Sequence, residues 1–580
     1  MSGLLAALWL LGLFAAAPAL RTSASYEIAD RLRDALILGV AIPFALGFVH
    51  LLYPIACWCT LAVCIAVAYA RRSAGARPTE GAMDPPYVLI AALVAVGWPH
   101  LMRPMLDGDS LSYHLPNAAA WVQAHSLWTT ATRYWWYPPA SELFASGLYA
   151  VGSPFALPWC GFGALILLGL RVVAWARDAY GAAPILADAL GAATVTAYPL
   201  AFQAGTLQND VWLAAFWLEM LWALRAMESR TTALRTVAVT ALIKPHGWLM
   251  AAIALLAYRA PARLWLAAIG AIGVWLAHDA LLWKGAIVAP SSATYGIVWS
   301  STILAHGAPA LALLDRVALA TSPFAFVAFC AALLGPAIAR NDRALSWAAF
   351  GAALLFFVLP FGYSTSVAQL ATGASLRFAA PAVAAGAVLL AILANRVTAI
   401  ATPLLLASTI FGVGSVLAIF WNDAPTRAAP GVALVAIAAV WLARVLRRAW
   451  PIAAGLIAIG IAGEFLAGSH PVDFYADALR VDGRSTRFYA WIQASHPTAI
   501  GGWGLALGAV NVLAPQTRTV EIPDVGACAF ARTQHLLLAA IAENDRTPQF
   551  NAARLREARE CGAVRYDDGI SVVVSPTGVR

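Results

Sequence analysis

Within the ten residues Asp107-Gly108-Asp109-Ser110-Leu111-Ser112-Tyr113-His114-Leu115-Pro116, two carboxylates, a phenol and an imidazole follow directly on a long apolar run. A carboxylate placed beside a hydroxyl can take its proton as that oxygen attacks, and Asp109 or Asp107 could serve. The plainer reading is that Asp109 caps a helix by accepting backbone N–H groups. Three further positions share this mixture of chemistry and structure. Asp210, in Gln208-Asn209-Asp210, opens another apolar run, where a helix dipole favours an acid. Lys244, in Lys244-Pro245-His246-Gly247, is one of only two lysines, with Lys284, in a chain that otherwise uses arginine. Its cation either meets an anion or snorkels to an interface. Arg377 lies in Ser375-Leu376-Arg377-Phe378-Ala379-Ala380-Pro381. Cations and helix-start N–H groups suit a departing phosphate, and a carboxylate suits an incoming hydroxyl.

The elements that must hold these residues are membrane helices. The 580 residues are 61% hydrophobic and only 11% charged, with a mean hydropathy of +0.74. That composition excludes ordinary soluble domains. Apolar runs of spanning length recur without the period-2 alternation of a barrel. About sixteen spans are expected, near 3–20, 35–53, 54–70, 86–102, 154–175, 183–201, 210–226, 232–243, 247–259, 264–282, 318–339, 344–361, 376–394, 397–420, 429–446 and 450–468. The first is read as a span and not a signal peptide, since no Lys or Arg precedes its apolar core. Spans 232–243 and 247–259 are too short to cross alone, and backbone broken at membrane depth must border protein or a polar cavity.

The arginines set the orientation. If Arg71, Arg72 and Arg77 are cytoplasmic, alternation puts Arg21, Arg31, Arg33, Arg177, Arg230, Arg259, Arg263, Arg340, Arg343, Arg396, Arg447 and Arg448 on the same side. Asp107, Asp109, Asp210 and Lys244 then lie towards the other face, with the long loop 103–153, and Arg377 joins them against the usual bias. The net charge of +8 does not imply nucleic acid, because the basic residues stand singly at segment ends. Trp121, Trp128, Tyr134, Trp135, Trp136 and Tyr137 have the composition of an interfacial belt. From about residue 469 charges return, and the tail 469–580 reads as a small α/β domain on the extracytoplasmic side. Its signals are helices at Phe488–Ala494 and Asn551–Glu560, a strand at Thr517–Ile522 and a hairpin turning at Asp567-Asp568-Gly569. Cys528 and Cys561 of this tail could pair on an oxidising side, whereas the other five cysteines lie in apolar runs.

In these residues the chain resembles the glycosyltransferase-C superfamily, and within it the bacterial dolichyl-phosphate-mannose-protein-mannosyltransferase-like enzymes. Asp109-Ser110-Leu111-Ser112-Tyr113-His114-Leu115-Pro116 looks like their first-loop motif, followed by Trp121, Tyr137-Pro138-Pro139 and Glu142. Asn209-Asp210 resembles their second acidic position, Lys244-Pro245 their lysine turn, and Arg377-Phe378 with Pro381 their late arginine motif. The resemblance covers roughly residues 86–395, so that 1–85 stand as additional helices before a membrane domain at 86–468. It implies a polytopic all-α membrane enzyme in a bacterial inner membrane, with its site and tail on the periplasmic side. The donor would be a polyprenyl-phosphate sugar drawn from the lipid, and the acceptor a glycan, lipid or protein. Asp109 would be the base, with Asp107 as the alternative or an orienting partner, and the anomeric carbon would invert. Lys244 and Arg377 would bind the phosphate, His246 would share the lysine turn, Asp210 would hold sugar hydroxyls, and Tyr113, His114 and Tyr137 would orient substrates. Paired acids with a histidine could hold a divalent cation, yet lysine and arginine neutralise a single phosphate without one, so the sequence requires no metal. A transporter or flippase of lipid-linked sugars is the alternative, and an envelope scaffold acting through its tail is a third; transporters usually keep ionisable groups near the midplane.

Overall fold

The computed structural model describes residues 2–20, 28–74, 85–101, 105, 107–132, 134–152, 154–226, 230–282, 303–359, 374–419, 424–446, 486–502, 505–523, 526–541 and 548–576. The chain is a mostly helical membrane protein with a small C-terminal sheet domain. In chain order the first helices are α1 (Ser2–Ala16), α2 (Ile28–Phe48), α3 (Pro54–Ala74), α4 (Tyr87–Leu101), α5 (Leu115–Gln123), α6 (Ala140–Val151), α7 (Trp159–Ala174) and α8 (Pro184–Val195). They continue as α9 (Tyr198–Ala201), α10 (Asp210–Arg225), α11 (Arg230–Ala241), α12 (Pro245–Ala257), α13 (Ala262–Leu282), α14 (Ile303–Thr321), α15 (Pro323–Leu333), α16 (Gly335–Ile338) and α17 (Arg343–Val358). The last of the membrane part are α18 (Ala380–Ala394), α19 (Thr398–Ile419) and α20 (Ala424–Leu446). Among the described residues, four helical stretches are long and apolar enough to cross a bilayer unaided: Pro54–Arg71, Trp159–Ala179, Ala262–Leu282 and Leu376–Ala418.

Proline decides many of the boundaries. Pro116, Pro184, Pro245, Pro323 and Pro381 stand in the first turn of their helices, where a missing N–H costs nothing and the fixed φ suits a helix start. The two half-length helices around Lys244-Pro245 form as α11 and α12. The expected span 318–339 is instead divided at Ser322-Pro323 between α14 and α15. The expected long loop 103–153 contains α5 and α6, and every residue of α6 is buried. Trp121 and Trp135 are likewise buried in the core and not spread along an interface. The expected span 450–468 and the segment around Lys284 lie outside the described residues.

Three arginines converge on the end of α1 and the short turn that follows it. Arg31 Nε donates to the Phe14 carbonyl at 2.9 Å, Arg235 to the Leu20 carbonyl at 2.9 Å, and Arg71 to the Ala19 carbonyl. Cations there satisfy carbonyls that a helix terminus leaves over. Arg33 behaves differently. It is buried on α2 with Asp30 and Asp34, and Arg171 of α7 bridges Asp30 (2.6 Å) to Glu219 of α10 (2.7 and 2.9 Å). This cluster binds the N-terminal helices to the middle of the bundle.

The tail holds α21 (Thr486–Ser495), α22 (Leu505–Leu513), α23 (Ala527–Thr533) and α24 (Pro548–Glu560) with a five-stranded sheet. Its strands are β1 (Ala499–Gly502), β2 (Arg518–Glu521), β3 (Leu537–Ile541), β4 (Gly562–Asp567) and β5 (Ser571–Pro576), in the order β2-β1-β3-β5-β4. The first three run parallel, and β5 is antiparallel to both β3 and β4. The expected hairpin forms, with Gly569 at φ +86° and the Asp568 carboxylate accepting the Ile570 and Ser571 N–H groups. Cys528 and Cys561 are joined, with their Cα atoms 5.4 Å apart. This domain rests on the first-loop segment. Gln123 ties down β2 and the residue before it, donating to the Thr517 carbonyl (3.0 Å) and accepting from the Thr519 N–H (3.2 Å). Tyr149 Oη donates to the Asn511 carbonyl at 3.0 Å.

Two variants test these contacts. A Cβ at Gly508 would lie 2.2 Å from the Leu111 carbonyl oxygen, against backbone that cannot swing aside. Gly508→Ala is expected to lower stability by roughly 1–3 kcal/mol, read as the thermal midpoint of the full chain in detergent. Arg171→Met leaves Glu219 with the Arg33 guanidinium at 3.6 Å and strips Arg171 from Asp30. A loss of roughly 3–5 kcal/mol is expected there, since breaking a buried pair abandons its partner's charge.

Candidate functional site

Four helix starts meet at one place. Asp210 is the first residue of α10, Lys244 is the residue before α12, Arg377 lies in a 3-10 turn (Ala374–Ala379) that leads into α18, and Asp109 precedes a π-helical turn (Ser110–His114). The starts of α10 and α12 bring the positive ends of their helix dipoles to this place, which favours an anion. Short π segments recur at functional positions because they re-aim side chains within a helix.

The charges form a chain. Lys244 Nζ is hydrogen-bonded to Asp210 Oδ1, and Arg377 Nε lies 3.6 Å from Asp210 Oδ2. The other end of the guanidinium meets Asp109, with Nη2 at 2.6 Å from Oδ2. Asp210 and Lys244 are about 95% buried, whereas Asp109 is 32% exposed by side chain. The inner pair is therefore fixed and the outer carboxylate is open to an incoming molecule. Phe378 lies beside both cations, its ring centre 5.2 Å from Lys244 Nζ and 5.0 Å from Arg377 Cζ. The ring face holds positive charge in place without neutralising it. His246 meets the same ring edge-on at 5.9 Å.

Around this chain lies an aromatic and polar shell. Tyr113 packs against His114 (4.0 Å), Tyr134 (4.9 Å) and Tyr137 (5.8 Å) between ring centres. Burial, and after it the nearby Asp109 charge, push the phenols of Tyr113 and Tyr137 well up, so both remain O–H donors. His114 does not face the cations. Its Nδ1 is 2.5 Å from Glu142 Oε1, and Glu142 Oε2 accepts from the Ser141 hydroxyl at 2.8 Å. Backbone ties hold the aromatic loop to the lysine turn: the Ala140 N–H donates to the Leu242 carbonyl at 2.9 Å, and Asn209 Nδ2 donates to the Ile243 carbonyl at 3.2 Å.

The structure thus gathers Asp109, Asp210, Lys244, His246 and Arg377 directly, sets Tyr113 and Tyr137 beside them, and puts Asp107 and His114 just behind. Two contributors were not marked by the sequence as functional in their own right. Glu142 was visible as a lone acid in the apolar stretch 140–151, and Phe378 as the aromatic next to an out-of-place arginine. A narrow crevice leads away from Asp210 and His246 between apolar side chains that include Leu213, Met250, Leu355 and Phe378. Among the described residues no three His, Cys, Asp or Glu side chains come together as a metal site.

No family model matches this chain, and no curated protein matches it. Among solved structures it is similar to ArnT from Cupriavidus metallidurans bound to undecaprenyl phosphate, with a TM-score of 0.48 and 13% identity over 85% of this chain and 98% of that one. It is also similar to the apo state of ArnT from the same organism, with a TM-score of 0.46 and 15% identity over 84% and 97% of the two chains.

The buried pair gives a direct test. Lys244→Met leaves the Asp210 carboxylate, 4% exposed, with Arg377 at 3.6 Å as its remaining cation. The variant is expected to unfold at a lower temperature, by roughly 3 kcal/mol or more of stability, and Asp210→Asn combined with it is expected to recover part of that loss.

Proposed function

We propose that this chain is an integral-membrane glycosyltransferase that moves a sugar from a polyprenyl-phosphate-linked donor to an acceptor hydroxyl. The observation that carries this reading is the shared guanidinium of Arg377, which spans an open carboxylate, Asp109, and a fixed one, Asp210, itself held by Lys244. Such a chain is suited to an exchange of partners. A donor phosphate entering beside Arg377 and Lys244 takes over their positive charge. Asp109, released from Arg377, is then a carboxylate with no cation, beside the reacting sugar.

The reaction follows from that exchange. The acceptor oxygen forms its bond to the anomeric carbon while the bond from that carbon to the phosphate oxygen breaks. The acceptor's proton passes to Asp109 Oδ2, and the electron pair leaves with the polyprenyl phosphate, whose charge Arg377 and Lys244 hold. Attack opposite the leaving group inverts the anomeric carbon. Tyr113 and Tyr137, kept neutral by burial, present O–H donors and ring faces to a sugar. Asp210 and His246 border the crevice whose other walls are apolar. The positions of the arginines support a periplasmic site in a bacterial inner membrane, with the C-terminal domain over the acceptor side.

Asp109→Asn is the decisive variant. With purified protein and a polyprenyl-phosphate sugar, transfer is expected to fall by roughly 10²–10⁴-fold. Donor binding is expected to persist, because the cations remain. Undiminished transfer would exclude Asp109 as the base, and transbilayer movement of the lipid without transfer would favour a flippase. Arg377→Gln is expected to weaken donor binding by roughly tenfold or more, as loss of a charge-assisted contact does.

A further inference from the structure

Asp107 and Gln208 each carry one buried oxygen without a hydrogen-bond partner, Oδ2 and Oε1 respectively. The other corners of the same two groups already meet, since Gln208 Nε2 donates to Asp107 Oδ1 across 3.3 Å. A planar amide and a planar carboxyl joined at one corner can close a ring through their second corners. Were Asp107 ionised, both oxygens would be acceptors without a donor, and a buried acceptor left unpaired is destabilising. A single proton on Oδ2 satisfies both, giving a ring closed by Nε2–H···Oδ1 and Oδ2–H···Oε1.

We propose that Asp107 is a neutral carboxylic acid joined to Gln208 in a cyclic acid–amide pair, and that this pair is the positioning element that sets Asp109 opposite Arg377. Burial pushes the Asp107 carboxyl up from its ordinary value. The Ser110 contacts pull it down, the neighbouring Asp109 charge raises it, and His114 opposes that rise. The two acids of the motif thus have different surroundings: Asp107 meets Gln208, and Asp109 meets Arg377. A raised carboxyl is protonated below its shifted value, so the pair is intact there and is lost as pH rises through that value.

The pair acts on Asp109 through a double tie. The Ser110 N–H donates to Asp107 Oδ1 at 2.8 Å, and Ser110 Oγ accepts the Leu207 N–H at 2.8 Å. Residues 107–110 are thereby fixed to residues 207–208, immediately before Asn209-Asp210. The separation of Asp109 from Asp210, which Arg377 spans, depends on that attachment. Asp107 is thus a positioning residue, without a proton-accepting role of its own.

The activity arm of the test rests on the glycosyltransferase reading, and the spectroscopic arm does not. Infrared difference spectra of the full chain, wild type against Asp107→Asn, are expected to show a protonated carboxylic C=O band that the variant lacks. A carboxylate band lost in its place would overturn the proposal. In transfer assays Asp107→Ala is expected to lose about tenfold or more. Asp107→Asn, whose Nδ2 donates to Gln208 Oε1 as the acid does, is expected to restore activity to within about threefold of wild type. Its activity relative to wild type should also rise at high pH, where the acid pair loses its proton and the amide pair does not. Asp107→Asn falling as far as Asp109→Asn would overturn the proposal. Wild-type protein with no transferase activity and an intact carboxylic band would refute the enzyme reading alone.

Discussion

The Asp210 carboxylate, buried between Lys244 and Arg377, is the constraint from which the site follows. A charge removed from water must be matched closely, and here two cations reach one acid from different helices. Each of the three residues belongs to a helix start, so the match can form only if α10, α12 and the turn before α18 converge. Their dipoles then add to the cations and not to the acid. The result is a locus with surplus positive potential, of which the half-buried Asp109 neutralises a part that an arriving anion can displace.

Around this locus the other elements act as braces. The π turn at 110–114 carries Tyr113 and follows Asp109, and it is pressed from one side by the 203–210 loop and from the other by α22 of the C-terminal domain. The close approach of Gly508 to Leu111, like the two bonds of Gln123 to Thr517 and Thr519, makes the tail part of the wall behind the site. On the far side of α10 the same helix carries Glu219, which Arg171 joins to Asp30 of α2. One helix thus begins in the candidate site and, more than two turns on, anchors helices that precede it by almost two hundred residues.

The Trp and Tyr residues between 121 and 137 illustrate how composition misleads where depth is unknown. Read along the chain they form an interfacial belt, but Trp121 and Trp135 are enclosed, and Trp275 of α13 donates to the Trp136 carbonyl. An aromatic side chain serves equally at a headgroup boundary and in a close-packed core. Only the burial of α6 beneath them, itself hidden in an apparent loop, decides between the two.

Sequence alone determined the solvent, the class and the chemical vocabulary. So apolar a chain must fold in a bilayer, proline and glycine mark where its helices begin and end, and Asp109, Asp210, Lys244 and Arg377 are legible as residues that lipid-facing helices should avoid. The C-terminal hairpin at Asp567-Asp568-Gly569 was equally legible, because its turn chemistry is local. Tertiary structure decided who meets whom. That Arg377 bridges Asp109 and Asp210, that His114 turns away to Glu142, that Asp107 faces Gln208 and that Arg33 is buried with Arg171 are contacts between residues up to hundreds of positions apart. Spacing along a chain carries no information about such pairs, since they are set by which helices pack together and how each is rotated.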